Sequence, residues 1–137
     1  MKISNKDLVG ASFQAIKFER IDGAPYTFIT INDVEHKVII DLGSSSEFNI
    51  PEGSKLAKQL LEKYTFKNSE RERYTIGGIQ TILEKIGVIP LIKIGGIEFK
   101  NVKTSINVSN QPRIGSAFFK DCVVLIDNSN NLYKIKK

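Results

Sequence analysis

The chain is poor in the residues that most often carry chemistry. It has one cysteine, Cys122, and one histidine, His36. A lone cysteine excludes an internal disulfide and a multi-cysteine metal centre. Cys122 heads the apolar run through Ile126, where a buried, inert thiol is expected. A catalytic thiol wants a histidine partner. His36 lies between Glu35 and Lys37, in a polar stretch that reads as the exposed start of a strand. A single histidine holds zinc only if several carboxylates converge on it, and no such spacing is present. No metal site and no organic cofactor are expected.

Long hydrophobic runs are also missing. None approaches the ~18 to 20 uninterrupted apolar residues of a membrane span. The longest apolar region, Ile86 to Ile97, is broken by Pro90, Lys93 and the pair Gly95 and Gly96. Lys2, Lys6 and Asp7 come early with no apolar segment after them, so the N-terminus does not read as a signal peptide. The sequence as it stands reads as soluble with no membrane span. A longer parent chain could still carry an upstream export signal or lipid anchor, so the compartment is left open.

Clustered cations are scarce despite a formal net charge of +5. The densest groups are Arg71 with Arg73, interrupted by Glu72, and the terminal Lys134, Lys136 and Lys137. Phosphate binding needs a concentrated basic face, and base stacking needs aromatic-rich strands. Neither is visible, so the basic residues are expected on a solvated surface and nucleic acid is not an expected partner. A small basic β-barrel that binds nucleic acid is the third-ranked reading.

What the chain does have is enough for one compact domain: 137 residues, 41% of them hydrophobic. Linkers, low-complexity tracts and repeats are absent within it. Residues 12–20 alternate as a strand, and Ile21 to Pro25 reads as a turn. Tyr26 to Ile31 and Glu35 to Asp41 form a hairpin about Asn32 and Asp33. Phe48 to Pro51 is a short extended piece. Leu56, Leu60, Leu61 and Tyr64 fall at helical spacing, predicting one amphipathic helix between Pro51 and Tyr64. From Arg71 the pattern is β again, with a hairpin tip at Gly77 and Gly78 and a second Gly pair between Ile86–Ile94 and Ile97–Val108. A short helix is predicted over Ser116 to Asp121. A last hairpin joins Cys122–Asp127 to Leu132–Ile135 through a polar turn. Many short strands with one or two helices indicate a closed or sandwich-like all-β domain.

One local sequence suggests chemistry. The apolar strand Val38 to Ile40 runs into Asp41, Leu42, Gly43 and three serines, Ser44 to Ser46. An Asp at the inner end of a buried strand is costly unless N–H groups or hydroxyls satisfy it. Gly43 lets the backbone fold over the carboxylate, and Ser44 can donate to it. An Asp opening an ordinary strand-to-loop turn would read the same way.

Three segments in order resemble the retropepsin-like aspartic proteases. Asp41 to Ser46 followed by Ile50 and Pro51 is similar to that family's Asp-Thr/Ser-Gly signature. Arg73 to Gln80 sits where the family carries its Gly-tipped flap. Arg113 to Asp127, with Ile114 and Gly115 before a Phe118–Phe119 pair, looks like its closing segment. The resemblance spans residues 26–136. It implies an all-β, retropepsin-like closed β-barrel lobe with one or two short helices over residues 25–137, preceded by an N-terminal strand or connector over residues 1–24.

The resemblance also implies a mechanism. Two Asp carboxylates, one per lobe, share a proton because like charges so close cannot both ionise, and they titrate as a coupled pair. The ionised one takes a proton from water, which attacks the peptide carbonyl; the protonated one hydrogen-bonds the carbonyl oxygen. Asp41 would be the catalytic carboxylate, supported by Leu42, Gly43 and Ser44. Tyr74, Gly77 and Gly78 would form the flap over an extended peptide, and Ile114 and Gly115 the second-loop motif. Tyr74 could equally be a flap aromatic or a core residue. Asp127 is followed by an Asn-rich turn and reads as a turn cap, so a second lobe is required, from a homodimer or from another lobe of a longer chain. Leu42 departs from the pattern: the family's hydroxyl there locks the two loops together across the lobes, and leucine cannot form a hydrogen bond with its side chain. An inactive peptide-binding module with the same groove is the alternative.

Overall fold

The computed structural model describes residues 2–4 and 13–136. Its strands are β1 (Lys2–Ser4), β2 (Gln14–Lys17), β3 (Glu19–Ile21), β4 (Ala24–Ile31), β5 (Val34–Asp41), β6 (Phe48–Pro51), β7 (Lys67–Thr75), β8 (Gly78–Ile94), β9 (Ile97–Asn107), β10 (Arg113–Gly115), β11 (Val123–Asp127) and β12 (Leu132–Lys136). Among the described residues there are also one α-helix, α1 (Lys55–Lys63), and a 3₁₀ turn at Ser116–Phe119. The expected N-terminal connector falls partly outside the described residues.

Eight strands form one sheet in the order β3-β4-β5-β10-β6-β9-β8-β7. It curls into a barrel-like ring because β4 also meets β8, through Thr30 opposite Lys93. Four strands, β1-β11-β12-β2, form a second sheet. The core is one continuous cluster that includes Ile29, Val38, Ile40, Phe48, Ile50, Ile89, Ile92, Ile114 and Phe119. Inward alternation on β8 begins only at Gly87 and runs to Ile94; the half nearer its start is largely exposed. Before Lys85, β8 pairs only with β7, so the β7–β8 hairpin is an arm standing off the ring, with Tyr74, Ile79 and Leu83 left exposed.

The hairpin turn between β4 and β5 is a two-residue one, with Asn32 and Asp33 both at positive φ, 51° and 64°. Asn and Asp tolerate that conformation, which matches the strand twist. α1 begins at Ser54, whose Oγ accepts from the Ala57 N–H at 3.1 Å, and it buries Leu56, Ala57 and Leu60.

Strand ends shift by a residue or two from the sequence reading, Ala24 and Pro25 of the expected turn pairing with Ile21 and Arg20, and three boundaries differ by more. The strand expected over residues 12–20 is two short strands separated at Phe18. There the chain changes sheets, from β12 as partner of β2 to β4 as partner of β3. Phe18 is buried against Tyr133, with ring centroids 4.6 Å apart, and its N–H donates to Asn131 O. The arm begins at Lys67 rather than Arg71, because polar β7 is held by nine residue pairings with β8. The helix expected over Ser116 to Asp121 is a single 3₁₀ turn ending at Phe119, after which Cys122 N–H donates to Phe119 O.

Candidate active site

Asp41 is the last residue of β5. β10 lies between β5 and β6, parallel to the first and antiparallel to the second. Its register places Ile114 beside Ile40 and Gly115 beside Asp41. Ile114 is fully buried and anchors the strand, while Gly115 meets the loop that follows Asp41. That loop is stitched to the end of β10 and the two residues after it by three backbone hydrogen bonds. Gly115 N–H donates to Glu47 O, Ser116 N–H to Ser44 O and Ala117 N–H to Ser46 O, at 3.0, 2.7 and 3.2 Å. A Cβ on Gly115 would lie 2.3 Å from Ser46 O and 2.8 Å from Ser44 O, so this approach admits only glycine.

The Asp41 carboxylate is held by two groups. Gly43 N–H donates to Oδ1 at 3.1 Å. Arg113 Nη1 stands 3.2 Å from Oδ2, with both side chains more than a third exposed. The backbone also turns here, with Ser44 N–H donating to Asp41 O at 3.1 Å. The sequence reading had Ser44 donating to the carboxylate; its hydroxyl instead lies 2.8 Å from Ser46 Oγ, which also accepts from Asn49 Nδ2 at 2.8 Å. The serines brace the loop, and the acid is oriented by a backbone amide and a guanidinium. Leu42 is half-buried against the core.

Arg113 was not singled out from sequence. No local signal marks it: it reaches Asp41 only because β10 runs beside β5.

Gly77 and Gly78 lie at the end of the arm, with the turn at Ile76 and Gly77 closed by Thr75 Oγ1 donating to Gly78 O at 3.1 Å. Tyr74 is 77% exposed on the arm. Ile76, Ile79 and Leu83 are exposed with it.

The remaining candidates are apart from this site. Cys122 is buried. His36 is half-buried on β5, and partial desolvation holds its pKa below the ordinary imidazole value. Asp127 caps its turn, accepting from Asn130 Nδ2 at 2.9 Å and Asn130 N–H at 3.2 Å. Among the described residues no group of His, Cys, Asp and Glu could hold a metal ion, and no helix is long and apolar enough to cross a membrane. A cavity of about 700 Å³ lies between α1 and the base of the arm. It is lined by none of the residues around Asp41.

Among solved structures, the chain is similar to a retropepsin-like aspartic protease from Rickettsia conorii, with a TM-score of 0.60 and 22% sequence identity over 90% of this chain and 89% of that one. At that identity the likeness shows the fold: a strand-rich, retropepsin-like lobe. No protein-family model and no curated protein matches the chain.

Proposed function

We propose that this chain is one lobe of an aspartic endopeptidase, with Asp41 its contribution to a pair of catalytic carboxylates. The observation that carries the reading is the setting of Asp41. It closes an apolar strand, accepts the Gly43 amide at 3.1 Å, remains partly open to solvent, and is backed by a loop fastened to Gly115. Opposite a second such lobe, two carboxylates would share one proton. The ionised member would take a proton from water as the oxygen attacks the peptide carbonyl, and the protonated member would donate to the developing oxyanion. The second lobe would come from another copy about a two-fold axis or from another lobe of a longer chain.

The β7–β8 arm would act as the flap. Its bare Tyr74, Ile76 and Ile79 supply apolar surface able to cover an extended peptide and exclude water. No cofactor enters this mechanism.

Leu42 favours a second reading, a peptide-binding module without catalysis. Its side chain packs against this lobe's own core and offers no hydrogen bond across to a partner. The two readings separate with a statine-type transition-state mimic. A peptidase is stopped by it and by Asp41→Asn, whereas a binding module holds extended peptides equally well with or without the Asp41 carboxylate.

A further inference from the structure

Beside Asp41, beneath the arm, a cavity of about 310 Å³ is lined by Arg71, Arg73 and Arg113, together with Ile82, Asn107 and Ser109. No acidic residue lines it. Two of the three guanidiniums already have a carboxylate: Arg71 Nε is 2.9 Å from Glu84 Oε2 and Arg113 is paired with Asp41. Arg73 makes no ion pair among the described residues. The Ser109 hydroxyl oxygen is buried and has no hydrogen-bond partner there. A buried hydroxyl without a partner is uncommon and costly, and Ser109 is one of the residues lining this cationic cavity.

We propose that this cavity is a subsite for a carboxylate, so that the protein selects extended peptides with a Glu or Asp side chain close to the scissile bond. Arg73 supplies the uncompensated charge, the Ser109 hydroxyl donates to the bound carboxylate, and the Ile82 side chain covers its methylene stem. The inference rests on the peptidase reading and deepens it. When two Asp41 carboxyls share a proton, one of the two Arg113 guanidiniums faces a neutral acid. Its positive charge is then available to the substrate, which adds to the preference in the catalytic state.

The test uses three peptides identical except for Glu, Gln or Lys at successive positions flanking the cleaved bond. Cleavage by the wild type is compared with Arg73→Glu and Arg73→Lys. At the position that reaches the cavity, kcat/KM for the Glu peptide should exceed that for the Gln peptide by about tenfold, the usual scale of a charge-assisted hydrogen bond. The Lys peptide should be poorest. Arg73→Lys should keep the order and Arg73→Glu should reverse it, and the Glu preference should shrink with added salt. A Glu-to-Gln ratio near one at every position overturns the proposal, as does a preference that survives Arg73→Glu. Fluorescence anisotropy with labelled peptides on Asp41→Asn gives a readout without catalysis. Tighter binding of the Glu peptide supports the subsite even if no Asp41-dependent cleavage is found, an outcome that overturns the peptidase reading alone. Equal binding of all three overturns the subsite.

Discussion

Gly115 sits beside Asp41 across the parallel β10–β5 register, and its missing side chain is what lets the loop after Asp41 close down. With a Cβ only 2.3 Å from Ser46 O, Gly115→Ala must displace backbone rather than a flexible side-chain end. Its φ of −105° is open to any residue, so the cost comes from crowding alone. Urea unfolding should show a loss of about 3 kcal/mol, the upper range for overpacking. Asp41-dependent activity should fall further than stability explains, because the loop that orients the carboxylate moves.

Tyr74 contributes little to the lobe's own packing. Tyr74→Ala should leave the unfolding free energy within about 0.5 kcal/mol of wild type, as for an exposed position. Peptide affinity or KM should worsen several-fold if the arm covers substrate. An unchanged KM would remove Tyr74 from the flap.

Leu42 serves two masters. Leu42→Thr removes apolar contact with the core and should cost the isolated lobe about 1 kcal/mol. The hydroxyl it adds could reach a partner's backbone. Sedimentation velocity should therefore show tighter pairing of lobes despite the weaker fold, and cleavage should reach half its maximal specific activity at lower protein concentration. Weaker pairing would mean that leucine itself packs across the interface.

Asp127 gives a pH signature away from the catalytic pair. The Asn130 side-chain hydrogen bond holds its carboxyl below the ordinary carboxylate value. Between the native and ordinary pKa values the unfolded chain binds the proton more readily, so the stabilisation is full above the ordinary value and is lost as pH falls through the native one. Asp127→Asn should lower Tm at neutral pH, and the gap from wild type should close as the solution is acidified. A gap independent of pH would show that the turn does not depend on the ionised carboxylate.

Much of this architecture was legible in the sequence. Asn32 and Asp33 at a strand-to-strand junction announce a tight hairpin, and the leucine spacing after Pro51 announces α1; both signals are local. The turn from Ile40 through Asp41 to Gly43 was legible because an apolar strand ends there in Asp-Leu-Gly, though the carboxylate itself is partly open to solvent rather than buried. What sequence could not give depended on contacts between distant segments. Phe18 divides a strand because Tyr133 and Asn131 wait for it more than a hundred residues later. Arg113 reaches Asp41 only because β10 inserts between β5 and β6. Ser44 turns to Ser46 in a loop whose carbonyls are held by the Ser116 and Ala117 amides.

The decisive observation is cleavage of a mixed peptide library, followed by mass spectrometry from pH 3 to 7, with wild type and Asp41→Asn side by side at several protein concentrations. Cuts that vanish in Asp41→Asn and rise more than linearly with wild-type concentration are the predicted result where the second lobe is another copy, because each copy then supplies an Asp41. No Asp41-dependent cut at any concentration would contradict a self-sufficient peptidase formed by two copies of this lobe.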